Sequence, residues 1–414
     1  KKEWDLLTVS FIGLGNRGGI YGKYFFTDGR ARIVSACDKC KENVNRFHLE
    51  FGVDKTELFY DEETFFEKKR SDVLVIATPD REHYRHAKTA LRLGYDLLME
   101  KPVAPTAEET ADIIDTAKKL GRNVVVCHNL RYTPFYQGIK RIVEDGLLGE
   151  VLSVEQSENV SYFHYLTSFV RGNWRKEDLS SAIILQKCCH DLDIIYWLIG
   201  KKCEKIASFG GLHFYCEDSA PKGSAHYCVD CDLKNCPYNA VDIYTKYHEM
   251  MNVPYGFDYS DENIKRYLSE RSHHYGDCVF HSDNDVCDRQ IVGMRFSGGV
   301  TASLLMQGFA ASITDRTTTV YGSKGCLTGK LNDGKIKVNL FGKQPCEIDY
   351  NAEIRDGASH NGGDAKLVSD YITFRLGQGR PMGISLAEDS HYSHKLAFAA
   401  EQSRLAGGKS LTVE

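Results

Sequence analysis

The segment Gly13-Leu14-Gly15-Asn16-Arg17-Gly18 follows directly on an apolar, β-branched run, Thr8 to Ile12, and opens a helical stretch. Few architectures accept a G-x-G-x-x-G in that place. The first glycine permits a tight turn, the second lets a pyrophosphate approach the backbone, and the third lets helix and strand pack closely, with the helix N-terminus facing the phosphates. Asp38 stands twenty residues past Gly18, at the end of the strand expected over Ile33 to Cys37. A carboxylate there accepts hydrogen bonds from an adenine ribose and repels a 2′-phosphate, which favours NAD over NADP. Lys39 and Lys41 soften that preference, so NADP stays open.

The rest of the first 128 residues keeps the same rhythm. Apolar runs at Val73 to Ala77, Asp96 to Met99 and Val124 to Cys127 alternate with helical stretches at Arg81 to Leu93 and Ala107 to Leu120. Thr106, with Glu109 three residues on, opens the second of these helices with capping-box spacing. The pattern predicts an α/β unit, a doubly wound parallel sheet with crossover helices. Beyond residue 128 the texture changes, with a helix over Pro134 to Asp145, a strand over Glu150 to Gln156 and a helix over His190 to Ile199. Strand-like runs then come close together, at Gln290 to Phe296, Val300 to Gln307, Thr317 to Tyr321 and Lys335 to Leu340. Short turns between them, Ser297-Gly298-Gly299 and Asn332-Asp333-Gly334, favour antiparallel hairpins. Two domains are expected, 1–128 and 129–414, the second an α+β unit with a large, mostly antiparallel sheet. Residues 216–288, rich in Cys, His, Tyr and Asp, fit neither pattern and read as a long insertion.

Composition narrows the partners. The chain has 414 residues, 42% hydrophobic and 26% charged, enough for a full core without disulfides. A net charge of −5 supplies no cationic field for nucleic acid or an anionic membrane. A small, largely neutral substrate fits better. No apolar run reaches the roughly 18 residues of a spanning helix, and Lys1 to Leu7 carry no apolar signal segment. Of the 14 cysteines, Cys37, Cys127 and Cys189 sit inside apolar runs as core residues do, so a reducing, cytoplasmic setting is expected.

Two further strand ends point into the crevice that the glycine loop opens. Thr78-Pro79-Asp80, with His83 close behind, follows one, and Glu100-Lys101-Pro102 follows another. A lysine in that position can hold an alcohol oxygen and share its proton. Thr78, Pro79, His83, Glu100 and Lys101 therefore join Gly13, Gly15, Asn16, Arg17, Gly18 and Asp38 as the expected cofactor contacts.

The glycine fingerprint, Ala77-Thr78-Pro79, Glu100-Lys101-Pro102 and Leu130-Arg131-Tyr132 together resemble the Gfo/Idh/MocA oxidoreductases, the glucose-fructose oxidoreductase and inositol dehydrogenase family. Phe169 to Arg175, Lys187 to Asp193, Asn284-Asp285, His360-Asn361-Gly362-Gly363-Asp364 and Ala400 to Arg404 resemble a cysteine-containing branch of it. The resemblance implies a Rossmann domain, then an α/β domain whose open sheet makes subunit contacts in a homodimer or homotetramer. It also implies a nicotinamide cofactor and a sugar, polyol or glycoside substrate. The family's catalytic lysine maps onto Lys101 and its histidine onto His190, while its aspartate maps onto Gln186, which cannot act as a base. Proton removal then falls to His190, whose ordinary pKa of about 6.5 suits the task, to Lys101 or to Lys187. Arg131, Tyr132, Arg171, Trp174 and Asp191 are expected to line the sugar pocket, although His190, Asp193 and Trp197 also share one helical face as a structural set would. The expected reaction is reversible hydride transfer. Cleavage of a glycoside through a transient ketone, or a dinucleotide sensor without catalysis, are the alternatives.

Cys228, Cys231 and Cys236 form C-x2-C-x4-C, and thiolates so spaced can converge on one metal. Cys278 completes the set by resemblance to the branch, with Cys216 and His226 as alternatives. A closed zinc site there would pin the insertion, free thiols and an iron–sulfur cluster being the other readings.

Overall fold

Apolar runs in the first part of the chain pair in parallel because each is followed by a helix that carries the chain back across the sheet. A computed structural model describes residues 6–248, 260–353 and 359–413. Its first sheet consists of β1 (Leu7–Ile12), β2 (Ala31–Cys37), β3 (Leu58–Phe59), β4 (Val73–Ile76), β5 (Asp96–Met99) and β6 (Val124–Val126), in the order β3-β2-β1-β4-β5-β6. Every pairing in it is parallel. This is the strand order of a doubly wound dinucleotide-binding sheet, whose ligands lie beyond the carboxyl ends of the strands. Apolar layers cover both faces, one around Phe11, Phe25 and Phe47, the other around Leu74, Leu97 and Ile113. The helix Ala107–Leu120 starts where expected, with the Thr106 hydroxyl accepting from the Glu109 N–H at 3.2 Å.

The second sheet has nine strands: β7 (Val151–Ser161), β8 (Cys203–Gly211), β9 (Arg289–Phe296), β10 (Thr301–Ala310), β11 (Asp315–Gly322), β12 (Gly325–Lys330), β13 (Lys335–Leu340), β14 (Cys346–Asp349) and β15 (Leu411–Thr412). The order is β14-β13-β12-β11-β7-β10-β9-β8-β15, antiparallel except where β10 lies parallel to β7. That parallel pair is allowed because a long excursion, not a hairpin, joins the two strands. Along β9 buried and exposed residues alternate strictly, so one face is covered and the other open. Gly298 and Gly299 turn β9 into β10 with φ of +76° and +79°, backbone that favours glycine.

Two features lie outside the sequence reading. The helix Gly363–Arg375 returns to the first sheet, where Leu367, Val368, Tyr371 and Ile372 share a core with Phe11 and Phe25. Leu386 then forms an isolated bridge with Val125. Within 216–288 the described residues form short turns and the helices Ala240–Tyr247 and Asp261–Leu268; residues 249–259 lie outside the described set. This stretch packs through aromatic rings, Tyr215 stacking on Tyr165 and meeting Tyr238 edge-on.

Candidate active site

The glycine loop has the geometry its spacing demands. Gly13 takes φ +85°, and a Cβ built there would lie 2.6 Å from the Ala77 carbonyl. A Cβ on Gly18 would overlap the Gly13 carbonyl oxygen, whereas one on Gly15 meets nothing within 4 Å. The open side of the loop is thus at Gly15, where a pyrophosphate needs room, next to exposed Asn16 in the first turn of the helix Asn16–Asp28. Asp38 closes the loop from β2: its carboxylate accepts from the Leu14 N–H at 2.6 Å and the Cys40 N–H at 2.8 Å.

Arg17 turns away from the loop. Its guanidinium donates to Glu100 at 2.7 Å, to Asp364 at 2.6 and 3.0 Å, and to the Tyr21 hydroxyl. Tyr21 in turn donates to Glu100 at 2.5 Å. Burial, the largest single influence, works to raise both carboxylates, but Arg17 together with Lys101 and Tyr21 at Glu100, and with His360 at Asp364, outweighs it and holds both below their ordinary range. Arg17 and Glu100 therefore serve as an internal ion pair. Asp364 lies in a motif noted above without a role.

His83 also departs from its expected place. It is fully buried, and its ring nitrogens meet the carbonyls of Pro102 and Thr78 at 2.7 and 2.8 Å. A ring so enclosed has no face for a cofactor; it clips the two strand-end motifs together. The Thr78 hydroxyl, beside Pro79, lies 3.1 Å from His86 Nδ1, and burial pulls the His86 pKa down to about 4.

Lys101, Gln186, Lys187 and His190 do come together, where the end of β5 meets the helices Ile183–Gln186 and Cys189–Ile199. Lys101 Nζ donates to the Gln186 carbonyl at 2.7 Å. His190 is buried, its Nδ1 has no hydrogen-bond partner among the described residues, and its ring stands edge-on to His128 at 5.6 Å. Burial, reinforced by Lys101 and His128, drives the His190 pKa well below that of free imidazole. Lys187 Nζ lies 3.5 Å from Glu158 Oε1, and Glu158 Oε2 lies 2.5 Å from Arg316 Nη2. Arg316 reaches on to Asp191 at 3.0 Å. Glu158, Arg316 and His164, whose ring feels Lys187 and Lys101, are neighbours that sequence reasoning missed; strand register alone brings the first two together.

Four of the five expected sugar-pocket residues are engaged elsewhere. Tyr132 has no exposed surface and sits in the core of the first sheet. Arg131 is buried and pairs with both oxygens of Asp193 at 2.6 Å. Asp191 is buried between Arg316 and Gln156. Arg171, 1% exposed, donates to the carbonyls of Asp277 and Tyr238 at 2.7 Å and approaches Cys228 Sγ at 3.6 Å. Burial at 4% exposure or less leaves these four side chains little surface to offer a sugar. Trp174 keeps part of its surface and packs against Phe169.

The cysteine-rich stretch is organised around that arginine. An antiparallel bridge between Tyr227 and Asp277 sets Cys228 beside Cys278, with the Cys228 N–H bonded to Gly276 and the Cys278 N–H to His226. Burial, reinforced by neighbouring sulfurs, raises the thiol pKa of Cys236 and Cys278. No three of the sulfurs of Cys228, Cys231, Cys236 and Cys278 lie within 4.8 Å of one another among the described residues. Nor does any helix of the described residues have the length and apolarity to cross a membrane.

Comparison with known proteins gives this geometry its context. Residues 7–128 match the oxidoreductase family's NAD-binding Rossmann fold and residues 140–357 its C-terminal alpha/beta domain. YteT of Bacillus subtilis (strain 168) is 24% identical over 76% of this chain and 75% of its own length. The inositol 2-dehydrogenase/D-chiro-inositol 3-dehydrogenase of Lactiplantibacillus plantarum is 27% identical over 50% of this chain and 56% of its own. Among solved structures, levoglucosan dehydrogenase in complex with NADH superposes with a TM-score of 0.73 at 17% identity, covering 99% of this chain and all of that one. With both halves matched in order, and a parallel six-stranded sheet leading into a mixed nine-stranded one, the chain belongs to the Gfo/Idh/MocA family of oxidoreductases.

Proposed function

We propose that the protein is an NAD-dependent dehydrogenase that moves a hydride between its cofactor and the carbon bearing a secondary hydroxyl of a sugar, polyol or glycoside. The observation that carries this reading is the meeting of Lys101 and His190 beside the Glu100 strand end, with Lys101 Nζ held at 2.7 Å by the Gln186 carbonyl. The glycine loop and Asp38 are the residues that would hold NAD, which would supply the hydride acceptor when bound. Gly15 would leave room for its pyrophosphate, and the Asp38 carboxylate, set at the loop by the Leu14 N–H, would accept from its ribose. Lys101 donates a hydrogen bond to the hydroxyl oxygen and His190, as neutral imidazole, orients the O–H, whose proton leaves to a base of the same pocket. Asp38 favours NAD over NADP, so NADH is expected to bind at least tenfold more tightly than NADPH in a fluorescence titration, a difference of about 1.4 kcal/mol.

The test is to incubate the protein with NAD and a panel of polyols, sugars and aryl glycosides, following NADH and released aglycone together. NADH formation is the expected result, and Lys101→Ala abolishes it while NAD still binds. Aglycone release without net NADH would replace this reading with redox-neutral glycoside cleavage. Silence across the panel would leave a dinucleotide-binding sensor.

Two finer proposals accompany it. The four thiols are of the right kind for zinc, and Arg171, buried and among the described residues without a carboxylate partner or a bond at Nη1, is the cation that a tetrathiolate zinc centre would balance. Rotation of the cysteine side chains has to close the remaining gaps. Metal analysis with and without Cys231→Ser tests this, and metal-free active protein overturns it. Phe209, Ile291 and Leu305 lie side by side on the open face of β8, β9 and β10, each more than two-fifths exposed. A second copy of the chain covers them on this reading, and light scattering at a monomer mass overturns it.

A further inference from the structure

Resting on the dehydrogenase reading, the question left by Gln186 is where the hydroxyl proton goes. His190 is poorly placed to keep it. Among the described residues no carboxylate lies within ion-pair distance of His190, while Lys101 and Arg316 are among the charges that bear on it. An imidazolium there would form among cations.

Lys187 feels the same two cations but has a carboxylate, Glu158, at ion-pair distance. It is the one member of its ion-pair network with notable side-chain exposure, 16%, against 9% for Arg316 and none for Glu158 and Asp191. Behind it the charges form a line: Lys187 Nζ to Glu158 at 3.5 Å, Glu158 to Arg316 at 2.5 Å, Arg316 to Asp191 at 3.0 Å. Arg316 keeps Asp191 as a partner whatever Glu158 does, so Glu158 can take up a proton without stranding the guanidinium. The scaffold is stiff, since Glu158 and Arg316 are cross-strand partners on β7 and β11.

We propose that Lys187 and Glu158 together are the base of this site, replacing a carboxylate at position 186 by one on β7 reached through a lysine. The substrate O–H bond breaks and its proton joins the Lys187 nitrogen as that nitrogen passes one of its own protons to Glu158. The carbinol carbon gives its hydride to NAD, leaving a ketone, NADH, a Lys187 ammonium and a protonated Glu158. In the reverse direction the same two transfers return the proton. Lys187 is the catalytic residue and Glu158 a positioning residue acting through it. Burial raises the Glu158 pKa despite Arg316 and Lys187 and lowers that of Lys187 despite Glu158, which brings the two sites closer in proton affinity than in water. The charged groups facing Lys187 are Glu158 from β7, Arg316 from β11, Asp191 from the helix Cys189–Ile199 and Lys101 from the end of β5, with His164 beside them.

The experiment compares wild type, Glu158→Gln, Lys187→Met and Lys187→Arg in two measurements. The first is NADH formation against pH with a substrate from the panel. All three variants should lose on the order of 10²- to 10⁴-fold in turnover, with NADH affinity unchanged and the wild-type pH inflection removed. Lys187→Arg decides between roles: arginine keeps the ion pair but cannot give up a proton, so a structural lysine would be rescued and a proton-passing one would not. Full turnover in Lys187→Arg, or an unchanged pH profile in Glu158→Gln, overturns the proposal. The second needs no substrate. Acetylation of Lys187 by acetic anhydride, read by peptide mass spectrometry at pH 8, should rise several-fold in Glu158→Gln as the ammonium loses its partner. Equal labelling overturns the coupling, whereas wild type that reduces no NAD with any substrate defeats the dehydrogenase reading instead.

Discussion

Arg17 of the glycine loop and Asp364 of the returning C-terminal segment meet at 2.6 Å, although 347 residues separate them in the chain. The same guanidinium holds Glu100, so one side chain ties together the glycine loop, the end of β5 and the first turn of the helix Gly363–Arg375. Arg17→Met would leave two buried carboxylates without their counter-charge. Breaking a buried pair in this way costs about 3–5 kcal/mol, and scanning calorimetry should register it as a fall in Tm of several degrees.

The same pair sets an acid limb. Asp364 and Glu100 have depressed pKa values in the folded protein. Their stabilisation is fully present above the unfolded carboxylate values, about 4, and is lost as pH falls through the lower folded values. Without Arg17, burial dominates and the folded pKa values rise, so protonation then favours the folded state. The Tm gap between wild type and Arg17→Met is therefore expected to narrow from pH 7 to pH 4. A gap independent of pH would contradict the assignment.

The glycines of the loop should separate binding from folding. A methyl on Gly15 meets open space, while one on Gly18 strikes the Gly13 carbonyl. Gly15→Ala should keep its Tm within about 0.5 kcal/mol of wild-type stability and lose NADH affinity. Gly18→Ala should lower Tm by strain of about 1–3 kcal/mol. Paired thermal melts and fluorescence titrations check both.

Arg171 should behave as a structural keystone. Its removal leaves the Tyr238 carbonyl without a side-chain donor and that of Asp277 with only the weak Cys228 thiol at 3.6 Å, at a cost of about 1–3 kcal/mol for a buried group left unsatisfied. Arg171→Met is expected to sensitise residues 216–288 to limited proteolysis while NADH binding at the distant loop persists.

The parts of this molecule legible in the sequence are those written locally. The glycine loop, Asp38 at the end of β2 and the capped helix Ala107–Leu120 each depend on residues a few positions apart. The short strand β3, only two residues long, offers no pattern to read. Arg171 and Asp191 read as sugar-pocket groups because sequence does not reveal that a charge will be buried with partners from distant parts of the chain. Arg316 meets Glu158 only through the register of β7 and β11. Lys101, Gln186, Lys187 and His190 converge because the end of β5 faces the helix pair of the second half, a relation that resemblance could suggest and periodicity could not.

The return of residues 363–384 to the first sheet has a consequence for biosynthesis. Leu367, Val368, Tyr371 and Ile372 complete an apolar layer begun by Phe11 and Phe25, yet they leave the ribosome long after β6. At about 5–20 residues per second, the nascent dinucleotide-binding half waits some tens of seconds with that layer uncovered. A chaperone that shields apolar surface has its natural client in that interval, and a message that stops translation after β6 yields all six strands with one apolar layer left uncovered.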